Sequence, residues 1–149
     1  MAYDRRYDWL RRPELREMYV PKVPMISIVD DDESVRETLK GLVRSFGLKA
    51  NAFASAEEFL ESNRLQDTAC LITDVQMQGM SGVELQTFLL TQGHDMPIIF
   101  MTAFPEERIR MRALSAGAVG FLGKPFDEKS LIDCLDKALE SRGFKTVQQ

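Results

Sequence analysis

A chain of 149 residues with 44% hydrophobic content can enclose one real core and leaves little room for a second. Its formal charge of -4 supplies no basic face for a phosphate backbone, which argues against direct nucleic-acid binding. No apolar run approaches the roughly 20 residues that span a bilayer, the N-terminus does not read as a signal peptide, and neither cysteine has CxxC spacing, so a reduced, cytoplasmic protein is expected.

Residues 1–24 differ in composition from the rest of the chain. All three tyrosines (Tyr3, Tyr7, Tyr19) and the only tryptophan, Trp9, lie there with six basic and four acidic residues. Tyr3, Tyr7 and Leu10 could share a helical face, while Pro13, Pro21 and Pro24 would interrupt a long helix. The segment reads as an N-terminal extension, either a disordered leader or a docking arm.

From Met25 onward, short β-rich runs alternate with longer segments of helical period, the pattern of a parallel sheet with crossover helices. Strands are predicted at 25–29 (MISIV), 48–53 (LKANAF), 69–73 (ACLIT), 97–102 (PIIFMT) and 118–122 (AVGFL). Most are too apolar to have a wet face, as in strands covered on both sides. Ser55 with Glu58, and Ser81 with Glu84, have the spacing of capping boxes, and Asp127 stands where the last helix needs an N-cap. In that helix Leu131, Leu135 and Leu139, joined by Ile132 and Ala138, form one apolar stripe. The domain is predicted to span 25–141, with 142–149 as a tail or linker. Cys70 and Cys134 read as core residues, Met77 and Met80 as packing residues and His94 as a surface loop residue.

In an open α/β sheet, ligands bind beyond the carboxyl ends of the strands, where neighbouring connections leave in opposite directions. Asp30 and Asp31 follow the first predicted strand and Asp74 the third; Thr102 ends the fourth and Lys124 follows the fifth. Carboxylates gathered at such an edge raise one another's pKa unless a cation joins them, and an oxygen-rich cluster with bound water suits Mg2+. With its charge screened, Asp74 can attack phosphorus to form an acyl phosphate, and Lys124 can neutralise the phosphoryl oxygens.

The stretches IVDDDESVR, LITDVQMQGMSGVEL, PIIFMTA and AGAVGFLGKPF together resemble the receiver domain of two-component response regulators, especially its FixJ-like branch, over roughly residues 25–141. Asp31 lies 43 positions before Asp74, with Thr102 28 and Lys124 50 after it, so four motifs occur in order at compatible spacing. The resemblance implies a flavodoxin-like, CheY-like fold: one doubly wound, five-stranded parallel sheet of order 2-1-3-4-5 with five flanking helices. It implies Asp74 as the phosphoacceptor, direct Mg2+ ligation by Asp31, Asp74 and the backbone carbonyl of Gln76, and a contact through water from Asp30. It further implies a cis Lys124–Pro125 peptide, a switch formed by Thr102 and Phe121, and tuning of acyl phosphate hydrolysis at Gln76 and Phe104. Phe104, bulky and without a hydrogen bond to offer, is expected to slow hydrolysis. Asp32 is left to cap the helix of Glu33 to Phe46.

The chain would then be a phosphoaccepting switch, with self-catalysed phosphorylation and dephosphorylation but no turnover in the usual enzymatic sense. The implied partners are a sensor histidine kinase and a second copy, through the face of the fourth helix, fifth strand and fifth helix. On that face the helix near 106–116 carries Arg108, Arg110 and Arg112 and the last helix Asp133, Asp136 and Glu140, charges that could pair between subunits. Few residues follow Gly143, so output is expected through protein contacts or through a DNA-binding domain absent from this sequence. One departure concerns the loop after Asp74, where the family's usual Met-Pro-Gly is Met77-Gln78-Gly79, which puts loop rigidity in question. Two alternatives compete. A phosphate-independent pseudo-receiver binding module is disfavoured by the intact Asp31, Asp74, Thr102 and Lys124. A haloacid dehalogenase type phosphohydrolase would want an acid two positions after Asp74, where Gln76 stands.

Overall fold

The computed structural model describes residues 5–15 and 23–144. Five strands, β1 (Met25–Val29), β2 (Lys49–Phe53), β3 (Thr68–Asp74), β4 (Ile98–Thr102) and β5 (Gly120–Gly123), alternate with five α-helices. The helices are α1 (Glu33–Ser45), α2 (Ala56–Glu61), α3 (Gly82–Thr91), α4 (Glu107–Ser115) and α5 (Glu128–Glu140). Ahead of β1, Arg5–Arg11 forms a 3-10 helix with Trp9 half-buried. Tyr3, Tyr19 and the side chains of Tyr7 and Leu10 lie outside the described residues, and so does the helical face expected of them. All strand pairings are parallel, in the order β2-β1-β3-β4-β5.

The sheet follows from its composition. Successive residues of a strand serve opposite faces, so a strand buried on both sides must be apolar at consecutive positions, as β3 and β4 are. Ile26, Ile28, Ile72 and Ile99 join Leu39 and Val43 of α1 and Leu131 and Leu135 of α5 in one core. Val29, Leu71, Ile98 and Phe100 join Phe59 of α2, Leu85 and Leu89 of α3 and Ala113 of α4 in the other. Thus α1 and α5 cover one face and α2, α3 and α4 the other. Right-handed crossovers require this when the chain moves outward from β1 to β2, then back past β1 to β3. The connections leaving β1 and β3 diverge, and a crevice opens at their carboxyl ends.

Caps decide where the helices begin. Asp32 Oδ1 accepts from Ser34 N at 2.9 Å, and Asp127 Oδ1 from Ser130 N at 2.7 Å, as expected of N-caps. The capping box of Ser81 and Glu84 is complete. At α2 only half of the expected box forms: Ser55 Oγ accepts from Glu58 N, but Glu58 Oε2 reaches one residue further back, to Ala54 N. Cys70 is buried, Cys134 half-buried, and both thiols are free. Burial raises both thiol pKa values, that of Cys70 far more, consistent with inert core residues. Met77 and Met80 pack partly buried against the second core. His94 is half-buried in the turn after α3, its N–H bonded to Leu89 O at 2.9 Å.

Two glycines within the helices and strands mark close approaches. A Cβ at Gly82, the first residue of α3, would overlap the backbone carbonyl oxygen of Asp74, and one at Gly120 would fall 2.5 Å from Cys134 Sγ. Gly82 meets unyielding backbone; Gly120 meets a side chain that can be shortened. Gly82→Ala and Gly120→Ala are each expected to destabilise the fold by about 1–3 kcal/mol in urea unfolding. Adding Cys134→Ala should recover part of the Gly120→Ala loss and none of the Gly82→Ala loss. Equal recovery in both backgrounds would contradict this packing account.

Candidate functional site

The crevice gathers what the sequence scattered. Asp30, immediately beyond β1, is 2% exposed, and Asp74, the last residue of β3, is 8% exposed, whereas Asp31 faces solvent. One oxygen from each of the three carboxylates falls within 4.8 Å of the others. Lys124, just past β5, reaches between the two buried acids, with Nζ 2.8 Å from Asp30 Oδ2 and 3.3 Å from Asp74 Oδ2. Asp30 Oδ1 accepts from Asp32 N at 2.9 Å. Asp74 Oδ1 is buried with no hydrogen-bond partner among the described residues.

These contacts set the electrostatics. Burial, joined by the charge of Asp30, holds the Asp74 carboxyl above its ordinary pKa even though Lys124 opposes the shift. Burial alone would lower Lys124, but its hydrogen bond to Asp30 and the charges of Asp30 and Asp74 outweigh it and the ammonium pKa is raised. One cation thus serves two buried anions, and the nearer anion, Asp30, takes the better bond. Asp32 is different. Its exposed carboxyl is lowered by its bonds to Ser34, so the third aspartate of the run is occupied as a cap.

Three hard oxygen donors, one with an orphaned buried oxygen, fit a divalent cation of the Mg2+ kind. The remaining expected residues are arranged around them. Gln76 begins the exposed loop after Val75, whose N–H donates to Met101 O at 3.0 Å. Thr102 is buried at the end of β4; its hydroxyl accepts from Phe104 N at 3.1 Å and its carbonyl from Lys124 N at 2.7 Å. Phe121 is half-buried on β5, its ring centroid 6.2 Å from that of Phe100. Phe104 is 69% exposed, so any screening of the site would need its ring to fold inward. The Lys124–Pro125 peptide is cis.

One participant was not anticipated. Arg36 Nη1 donates to the backbone carbonyl of Asp30 at 2.8 Å, tying α1 to the turn that presents the acid pair. Its signal in the sequence was weak: an arginine one helical turn after the Asp32 cap reads as a solvated charge unless the fold is known.

The comparisons agree with this geometry. Residues 26–136 match the family model described as the response regulator receiver domain. Nodulation protein W of Bradyrhizobium diazoefficiens is 38% identical over 135 residues, 91% of this chain and 59% of that protein. The solved response regulator StyR superposes with a TM-score of 0.76 at 42% identity, covering 82% of this chain and 62% of the other. The FixJ-N crystal structure gives 0.72 at 34% identity, covering 80% and 96%. The chain spans between half and six-tenths of the length of the curated relatives it matches. Sheet order, converging acids and family match coincide, and the chain belongs to the response regulator receiver domain family, in its FixJ-like branch.

Proposed function

We propose that residues 25–141 form a receiver that takes a phosphoryl group onto Asp74 from a histidine kinase and changes shape in response. The observation that carries this reading is the bare, buried Asp74 Oδ1 in a crevice where a lysine already bridges the neighbouring acids. A carboxylate kept costly in the metal-free protein has a use for a ligand. In the reaction, a carboxylate oxygen of Asp74 forms a bond to phosphorus while the bond from phosphorus to the donor breaks, its electron pair leaving with the donor. Asp31, Asp74 and the Gln76 carbonyl would hold Mg2+, with Asp30 acting through water. When bound, Mg2+ would neutralise the acids and screen the phosphoryl oxygens. Lys124, adjacent to Asp74, would transfer its donors to those oxygens.

Thr102 and Phe121 form the proposed switch. The Thr102 hydroxyl accepts from Phe104 N and is free to donate its own proton toward a phosphoryl oxygen. Movement of Thr102 would empty space beside β5 into which the Phe121 ring can turn. Gln76 and Phe104 flank the site and would govern the approach of water. The changed face is the one formed by α4, β5 and α5, where Met111 is 59% exposed, and a homodimer through this face is part of the proposal. Residues 1–24 would be an extension and 142–149 a linker, in a cytoplasmic protein; among the described residues no helix is long and apolar enough to cross a membrane.

Three outcomes test this reading. Incubation with Mg2+ and acetyl phosphate should add one phosphoryl mass to the wild type and none to Asp74→Ala in intact-mass spectra; labelling of the variant would move the acceptor elsewhere. Because the ionised Asp74 is costly in the metal-free fold, Asp74→Asn should raise the metal-free Tm by a few degrees. Mg2+ should then raise the Tm of the wild type more than that of the variant. A lower Tm for Asp74→Asn would show that Lys124 overcompensates the cost. Phe104→Glu should shorten the phosphorylated lifetime severalfold in a decay assay, and an unchanged lifetime would remove Phe104 from the hydrolysis account.

A further inference from the structure

We infer that Glu57, in the first turn of α2, is a positioning residue for the loop that carries the Gln76 carbonyl, an inference that rests on the proposed receiver function. A backbone carbonyl can serve as a ligand only if its loop keeps one shape. The loop from Gln76 to Ser81 contains no proline, and its Gly79 has φ +76, so fixing it costs conformational entropy. The far end is secured by Gly82 N donating to Val75 O at 2.9 Å and by the capping box of Ser81 and Glu84. The middle is held from outside. Met80 N donates to Glu57 Oε2 at 3.0 Å, across 23 positions of sequence.

The same carboxylate lies against Gly79, where a Cβ would come within 2.5 Å of Oε2. A side chain at position 79 would push the acid away, so the glycine and the glutamate act as a pair. Glu57 also stands where a negative charge favours the start of α2, which is a purely structural role. The two roles leave different signatures. Holding the loop needs an acceptor oxygen, which glutamine keeps and alanine lacks; favouring the helix needs the charge, which both substitutions remove.

The experiment is amide hydrogen exchange at Met80, followed by NMR on the full chain without Mg2+, combined with acetyl phosphate labelling across Mg2+ concentrations. In Glu57→Ala, Met80 should exchange about fivefold faster, the equivalent of one net hydrogen bond. The Mg2+ concentration for half-maximal labelling should rise severalfold while the maximal rate changes little. Glu57→Gln should stay near the wild type in both readouts. Unchanged Met80 exchange in Glu57→Ala, or equal losses in the two variants, would overturn the assignment. Failure of the wild type to label at any Mg2+ concentration would instead overturn the receiver reading, while Met80 exchange would still decide what Glu57 does.

Discussion

The ammonium of Lys124, lying between two buried carboxylates, is the interaction on which the arrangement of the crevice depends. Asp30 and Asp74 are brought together by strand order, because β1 and β3 are neighbours whose connections diverge. Like charges forced together at low exposure repel, and the nearest compensation comes from β5, two strands beyond β3. The sheet must therefore be complete before the acids are tolerable. The compensation is also partial: the shorter bond goes to Asp30, and Asp74 keeps one oxygen without a donor. A single positive charge against three acids leaves the site short of cation, which is the physical content of its fit to Mg2+.

The backbone around Asp74 is fixed as firmly as its side chain is left open. Asp74 pairs with Met101 in the ladder, Val75 N–H bonds to Met101 O, and Gly82 brings the start of α3 flush against the Asp74 carbonyl. Arg36 holds the Asp30 carbonyl from the opposite face of the sheet. Preorganisation of this kind places the cost of gathering the charges in the folding of the domain, so that less reorganisation remains when a ligand arrives. In the proposed reading, change is confined to side chains such as Thr102 and Phe121, while Glu57 keeps the loop after Asp74 in place.

Much of this was legible in the sequence because it obeys local rules. Apolar runs located all five strands, and the Asp32, Ser55, Ser81 and Asp127 caps located four helix starts, since each depends on residues within four positions. The boundaries slipped where polarity misled. Asp74 belongs to β3 itself, pairing with Met101, although the sequence pattern ends the strand at Thr73, before the carboxylate. At the fifth strand, Ala118 and Val119 are apolar, yet the ladder begins at Gly120. Arg36 and Glu57 were missed for a different reason: each is a charged residue on a helix whose partner is a backbone group brought near only by the tertiary fold. Charge in a helix sequence reads as solvation, and nothing local distinguishes the exception.

The same distinction separates what the fold explains from what it leaves to the site. A doubly wound sheet of this order creates a crevice whatever its sequence, and many chemistries occupy such crevices. What narrows the choice is the chemistry at four strand ends: two buried acids, a third at the surface, a lysine spanning the gap and a threonine whose hydroxyl can still donate. Replacing any one of the acids or the lysine by an apolar residue of similar size would leave the sheet order intact and change the charge balance of the crevice, and the same replacement at Thr102 would remove its hydroxyl donor. In the proposed reading, function is carried by the electrostatic incompleteness of the site, and the fold's contribution is to make that incompleteness stable enough to persist until a cation and a phosphoryl donor would relieve it.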